Sequence, residues 1–66
     1  MKTQKATKVW GQYSYQVALA EDGKFYSRVY INGKQLPWEK MPEDLADPTR
    51  NMMPNPGPFK YRIPMA

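Results

Sequence analysis

Basic and aromatic side chains alternate along one short stretch of this 66-residue chain. Four of them stand two positions apart: Lys24, Tyr26, Arg28 and Tyr30. An extended strand places all four on the same side of the backbone. Rings that stack on bases, with cations that bind phosphates between them, are how open sheets bind single-stranded nucleic acid. Tyrosine and arginine are also enriched where protein interfaces bind most strongly. The spacing therefore indicates a surface for a macromolecular partner.

Catalytic chemistry has little support in the same sequence. The chain has no histidine and no cysteine, which removes the commonest general base, the commonest neutral metal ligand and any thiolate. Neither Ser14 nor Ser27 has a base at a spacing that would activate it. A cluster of acidic residues contains Glu39, Glu43, Asp44 and Asp47. It lacks the spacing and the central glycine of a calcium loop. Solubility and favourable charge at a helix N-terminus explain it better. We expect no enzyme activity, no metal and no cofactor.

Strands joined by tight turns are the elements that would position the alternating side chains. Residues 12–20 alternate with period two, as a half-buried strand does. Residues 24–31 are rich in aromatic and β-branched side chains and lie between Asp22-Gly23 and Asn32-Gly33. Both dipeptides are typical of hairpin turns.

The register of these hairpins follows from the rule that directly opposite residues share a face. A three-residue loop at 21–23 sets Leu19 opposite Phe25, whereas a two-residue loop would mix polar and apolar faces. A two-residue type I′ turn at 32–33 then adds a third strand, which again keeps the apolar residues on one face of the sheet. The pattern predicts a three-stranded antiparallel meander over residues 12–38.

The two faces of this meander are expected to differ in role. The apolar face is the predicted core and contains Tyr13, Tyr15, Val17, Leu19, Phe25, Val29, Ile31, Leu36 and Trp38. The second face is the predicted partner-binding face and contains Gln16, Lys24, Tyr26, Arg28, Tyr30 and Gln35. A basic rim around it is expected from Lys8, Lys34, Lys60 and Arg62. An ordinary solvated sheet face has a similar composition, so this alternative stays open.

The remainder of the chain completes a small β-rich domain, of β or α+β class, over residues 1–66. Proline at a first-turn position followed by acidic residues predicts a short helical turn at 41–47. Four prolines and a glycine in residues 51–66 predict an extended C-terminal arm. We expect the arm to lie across the sheet or pair as an edge strand, or alternatively to dock into a partner. Val9 and Trp10 are candidates to cover the core, and the N-terminal segment is a candidate extension of the sheet.

Charge and hydropathy limit the cellular compartment and the types of partner that can be expected. The net charge is +4, with basic segments before residue 35 and after residue 48 and an acidic segment between them. This balance favours acidic partners, and it is also an ordinary aid to solubility. No apolar run resembles a signal peptide or approaches the roughly 20 residues that span a bilayer. We expect a cytoplasmic protein without a membrane partner.

The hairpin from Asp22 to Lys34, DGKFYSRVYINGK, resembles the small three-stranded DNA-binding domains at the N-termini of phage-type tyrosine recombinases. The resemblance covers about a fifth of the chain and implies that the sheet face reads DNA. After Trp38 the chain departs from that group, because it is acidic and broken by prolines where the family continues into a long amphipathic helix.

These observations favour a small non-catalytic binding protein that docks the Tyr26, Arg28 and Tyr30 face onto a protein or nucleoprotein complex. Its expected effect is to modulate or inhibit that complex, in the manner of an inhibitor encoded by a phage or mobile element. The alternative is nucleic-acid binding, to single-stranded DNA or RNA or to duplex DNA, through the same residues. Homodimerisation through a strand edge or the C-terminal arm is a third prediction.

Overall fold

A computed structural model describes residues 2–65 and contains six β-strands and no helix in that range. The strands are β1 (Thr3–Gln12), β2 (Tyr15–Ala20), β3 (Phe25–Ile31), β4 (Lys34–Gln35), β5 (Glu39–Lys40) and β6 (Arg62–Pro64). They form one antiparallel sheet in the order β4-β3-β2-β1-β6, with β5 also paired to β3. Because β4 and β5 lie along the same edge of β3, the sheet is five strands wide. The expected small β-rich fold is therefore present.

The sheet curls until its two sides meet. Trp38, beside one edge, packs against Tyr61, beside the other, with ring centroids 5.8 Å apart. The concave face is filled by a single apolar cluster that contains Ala6, Val9, Ala18, Ala20, Tyr26, Trp38 and Ile63, with Phe59 and Tyr61 packed against it. Small side chains suit the inner face of a tightly curled sheet because little volume is available there.

The assignment of the two faces to core and solvent is wrong in its main feature. The concave core is the face that carries Tyr26 and Ala18, which pair directly across β2 and β3. On the convex face Val17 is buried, and Leu19 and Phe25 are half-buried. Five members of the predicted core are exposed: Tyr13, Tyr15, Val29, Ile31 and Leu36. The face with more large apolar side chains was predicted as the core, but the direction in which the sheet curls decides which face is enclosed.

Strand β1 extends the sheet well beyond the predicted start at residue 12. Its inward positions include Gln4 and Ala6, an amide and a small side chain that give little apolar signal. A β-bulge at Thr7 shifts the pairing with β2, so Ala6 and Val9 both point inward although they are three residues apart. This irregular spacing conceals the strand from a search for strict alternation.

The predicted pairings next to the two turns are confirmed, but the register of the third strand is not, because it changes after Leu36. Leu19 lies opposite Phe25 across the three-residue loop, and Gly23 has the expected positive φ of 81°. In the next turn Asn32 and Gly33 have φ values of 53° and 75°, as a type I′ turn requires.

A second bulge separates β4 from β5. Three residues lie between Gln35 and Glu39, whereas only two lie between their partners Tyr30 and Ser27. The extra residue is accommodated around Pro37, which has no N–H to donate to the ladder. As a result Trp38 lies on the concave face and not opposite Ser27, where an uninterrupted strand would place it.

The predicted helical turn at 41–47 is wrong. The Met41 N–H donates to the carbonyl of Phe25 at 2.9 Å, which continues the β5 pairing, and the chain then turns. The Asp47 carboxylate accepts from the backbone N–H and the hydroxyl of Thr49, at 2.8 and 2.6 Å. Asp47 therefore stabilises a local turn, as aspartate often does in competition with helix.

The C-terminal arm packs along the outer edge of β1. Pro54 forms a bridge to Trp10, and β6 pairs with Thr3–Lys5. Gly11 allows this approach because it has a φ of +95° and a Cβ there would collide with the carbonyl of Tyr15 and the Met52 side chain. The arm thus closes the sheet as an edge strand within the same chain.

Candidate macromolecule-binding surfaces

Tyr26, at the centre of the predicted binding face, is part of the core. Its side chain is 2% exposed, and its hydroxyl donates to the Asp22 carboxylate at 2.9 Å. The Gln4 amide donates to the same carboxylate oxygen at 2.9 Å, and its carbonyl accepts from the Asp22 N–H at 2.9 Å. This network ties β1 to the loop between β2 and β3, so Tyr26 is not available for stacking.

The same network shifts two pKa values in opposite directions. Burial raises the pKa of Asp22, but hydrogen bonds from Gln4, the Lys24 N–H and Tyr26 outweigh it and bring the pKa below its usual value. Burial, and then the hydrogen bond to Asp22, raise the pKa of Tyr26. The folded state therefore favours an ionised Asp22 beside a neutral Tyr26.

Arg28 lies between two aromatic rings at the mouth of the concave face. Its guanidinium carbon is 4.6 Å from the ring centroid of Trp38 and 4.6 Å from that of Tyr61. Its Nε donates to Gln16 at 2.9 Å, and the Gln16 amide is 3.4 Å from the Tyr61 hydroxyl. Arg28 thus joins β3 to the C-terminal arm, and we call this group the arginine sandwich: Gln16, Arg28, Trp38 and Tyr61.

The expectation of an open aromatic and basic face is therefore wrong, although binding by its accessible members stays a prediction. Gln16 and Tyr26 are buried, and Arg28 is half-buried between rings. Lys24 forms an ion pair with Glu43 at 3.4 Å, which helps to raise the pKa of Lys24 and lower that of Glu43. The physical reason is closure of the sheet, which brings Trp38 and the C-terminal arm over this face.

Tyr30 and Gln35 remain accessible at the end of the sheet. They are paired across β3 and β4, and the Tyr30 ring lies 4.6 Å from that of Tyr13. Tyr13 belongs to the two-residue turn between β1 and β2 and is 70% exposed. A hydrogen bond with Tyr30 raises the pKa of Tyr13.

Four apolar side chains, on β2, on β3 and directly after β4, form an exposed surface on the convex face. Tyr15 lies opposite Val29, and the Leu36 N–H donates to the Val29 carbonyl at 2.9 Å. Ile31 follows Val29 on the same side of β3. We call these four residues the apolar patch, and each is between 37% and 51% exposed. The sequence places these four residues on one face, but that face was predicted to be the core.

The predicted basic rim divides into separate places. Lys60 and Arg62 line a cleft of about 380 Å³ together with Lys5, Phe59 and Tyr61, and we call this the basic cleft. Lys34 lies opposite Ile31 at the border of the apolar patch, and Lys8 lies opposite Leu19. Lys5, Phe59 and Tyr61 were not predicted as site residues. The alternation of aromatic and basic residues in 59–62 was the signal that could have found two of them.

The acidic segment does not gather into a metal site within the described range. No group of three or more potential acidic ligands that could hold a metal ion occurs among residues 2–65. Residues 2–65 also contain no helix of the length and apolarity needed to cross a membrane.

Comparisons with protein-family models, with curated proteins and with solved structures find no match to this chain.

Proposed function

We propose that this chain is a small non-catalytic binding protein that docks its apolar patch onto a protein partner and modulates or inhibits that partner. The observation that supports the proposal is the grouping of Tyr15, Val29, Ile31 and Leu36, which are exposed on adjacent strands. Single exposed apolar residues are normal, but a contiguous group of them is typical of interaction sites.

The chemistry of the patch favours a protein over a nucleic acid. Its four side chains carry no charge, and depletion of charge is characteristic of the centre of a protein interface. Tyr15 supplies a large, rigid side chain of the type enriched at binding hot spots. The nearby Tyr13 and Tyr30 pair adds aromatic surface at the same end of the sheet. Nucleic acid, in contrast, requires cations across the contact.

The patch also restricts what the partner presents. An apolar centre on the partner would cover the four side chains, and an acidic group at its margin would face Lys34, which lies opposite Ile31. Inhibition would then be steric, because the chain would cover a surface that the partner uses for another contact. The setting of a phage or mobile element remains a prediction.

The proposal is tested with a double variant of the patch and a matched control. Ile31→Ser with Leu36→Ser removes apolar surface from the patch, and Leu45→Ser with Met65→Ser removes similarly exposed apolar side chains elsewhere. Affinity capture from cell extracts should yield one stoichiometric protein with the wild-type chain and with the control. The patch variant should lose it, and its fold should be verified by circular dichroism.

Two outcomes would contradict this function. The patch variant would retain the same protein as the control if the patch were plain surface. Alternatively, sedimentation would show a mass that rises with concentration in the wild type alone, which would make a second copy of this chain the occupant. Pairing through the outer edge of β4 and β5 is disfavoured because the bulge at Pro37 interrupts that edge.

A further inference from the structure

The basic cleft combines three cations with two aromatic rings and no acid. Its lining consists of Lys5 from β1, Arg62 from β6 and the intervening Phe59, Lys60 and Tyr61. Its volume of about 380 Å³ falls in the range of pockets that hold small molecules or single groups of a larger ligand.

The cations of the cleft face each other without compensation. Lys5 and Arg62 are directly opposite on antiparallel strands, an arrangement that is destabilising for like charges. The nearest acid along the sheet, Glu21, accepts a hydrogen bond from the Lys5 backbone N–H at 2.8 Å. Within residues 2–65 the ion pairs are Lys24–Glu43 and Lys40–Glu43, so no carboxylate lies within 4 Å of the three cleft cations. An anionic ligand would relieve this repulsion.

The rings give the cleft a fixed floor. Phe59 and Tyr61 are half-buried and pack against the concave core, whereas Lys5, Lys60 and Arg62 are exposed. Tyr61 is held further by its contact with Arg28. The cleft therefore places two half-buried rings beside three exposed cations.

This arrangement selects among anionic ligands. A membrane surface is bound by apolar side chains that project into the lipid, and here the rings are recessed. An acidic peptide supplies carboxylates, but a flat ring only where it also contains an aromatic side chain. A nucleotide unit of a single strand supplies both a phosphate and an unpaired base whose face can stack on an aromatic side chain.

We propose that the basic cleft binds single-stranded nucleic acid, with the phosphate bound by Lys5, Lys60 and Arg62 and the base packed against Phe59. This surface lies at the β1 and β6 side of the sheet, whereas the apolar patch lies on β2, β3 and β4. The two proposals do not depend on each other. If both hold, the chain joins a protein partner to a single strand.

The test measures fluorescence anisotropy of a labelled single-stranded DNA oligonucleotide and its RNA counterpart with the full chain. The cleft variant is Lys60→Gln with Arg62→Gln, and the matched control is Lys34→Gln with Arg50→Gln. Each removes one lysine charge and one arginine charge from exposed positions, so the net charge is the same in both.

We expect the cleft variant to bind at least about tenfold more weakly, and the control to stay within about twofold of the wild type. Between about 50 and 200 mM salt, three cation contacts predict a loss of about 18-fold in wild-type affinity, and the cleft variant should lose much less. Phe59→Leu should weaken binding about tenfold by removing the stacking surface. The patch variant Ile31→Ser/Leu36→Ser should bind as the wild type does, which separates this proposal from the proposed function.

Four results would overturn the inference. Equal losses in the cleft variant and in the charge-matched control would show attraction by net charge alone. Tighter binding of duplex DNA, with no effect of Phe59→Leu, would exclude stacking. Binding of phosphatidylserine vesicles but not of the oligonucleotides, with the same dependence on Lys60 and Arg62, would identify a lipid headgroup. No binding of any probe at low salt would leave the cleft without a ligand of this class.

Discussion

Strand β3 contributes residues to both the arginine sandwich and the apolar patch, but the first group is enclosed and the second is exposed. Arg28 points to the concave side of β3, where Trp38 and Tyr61 enclose it. Val29, the next residue, points to the convex side and is exposed. The side predicted as a binding site is occupied by the chain's own rings, and the part of the predicted core that contains Val29, Ile31 and Leu36 is exposed. In a small sheet, therefore, the direction of closure decides which of two similar faces stays exposed to a partner.

The largest expected difference between the two regions is in stability. Trp38→Ala removes a buried ring that fills the concave core and contacts Arg28, so we expect a loss of about 3 kcal/mol in the free energy of unfolding. Leu36→Ala, two residues earlier in the exposed patch, should cost less than about 1 kcal/mol. Urea unfolding followed by circular dichroism measures both. Equal costs would show that the patch is part of the core.

A smaller effect is expected from the charge of Arg28. Arg28→Met keeps most of the aliphatic stem but removes both ring contacts of the cation and the hydrogen bond to Gln16, so we expect a loss of about 1 to 2 kcal/mol. Arg62→Met, which removes an exposed arginine that forms no ion pair within residues 2–65, should change stability by less than about 0.5 kcal/mol. If the two variants unfold at the same urea concentration, the sandwich contributes nothing to closure.

The pH dependence of the free energy of unfolding should reveal the hydrogen-bond network of Gln4, Asp22 and Tyr26. Because the pKa of Asp22 is lower in the folded state, its contribution is present above the unfolded value of about 4 and is lost as the pH falls through the folded value. Because the pKa of Tyr26 is raised, its contribution is present below about 10 and is lost as the pH rises further. Tyr26→Phe should reduce both the alkaline loss and the acid loss of stability in unfolding measured across pH. An unchanged profile would contradict the network.

The smallest expected effect is local to the tyrosine pair beside the patch. Tyr30→Phe removes the hydrogen bond that raises the pKa of Tyr13, so this pKa should fall toward its usual value. The free energy of unfolding should change little, because Tyr13 is largely exposed. Carbon NMR of the Tyr13 ring during an alkaline titration measures the shift. A constant pKa would show that the two hydroxyls do not interact.

Local rules predicted the hairpins, and longer-range packing decided the remainder. Asn32-Gly33 and Gly23 determine their turns through backbone conformation, so their registers follow from the sequence. The bulges at Thr7 and Pro37 shift side chains by one position, and neither produces an apolar signal. Each of them changes which residues face inward.

The candidate surfaces show the same limit. Lys60 and Arg62 were recognised as basic, but their grouping with Lys5 depends on pairing between strands 57 residues apart in the chain. The exposure of Ile31 and Leu36 likewise depends on where residues 41–48 lie, since these residues line a cleft beside Phe25, at the other end of β3. No local pattern contains this information.

The pairing of β1 with β6 also has a consequence for biosynthesis. Thr3–Lys5 have their partners at Arg62–Pro64, and Arg28 meets its second ring at residue 61. The ribosome tunnel holds back the most recently made residues, so the hairpins emerge while the strand that closes the sheet is still inside. The newborn chain must then expose its concave side until residue 64 has left the tunnel. Closure therefore follows the emergence of β6, and until then Tyr26 and Trp38 are open to chaperones and proteases.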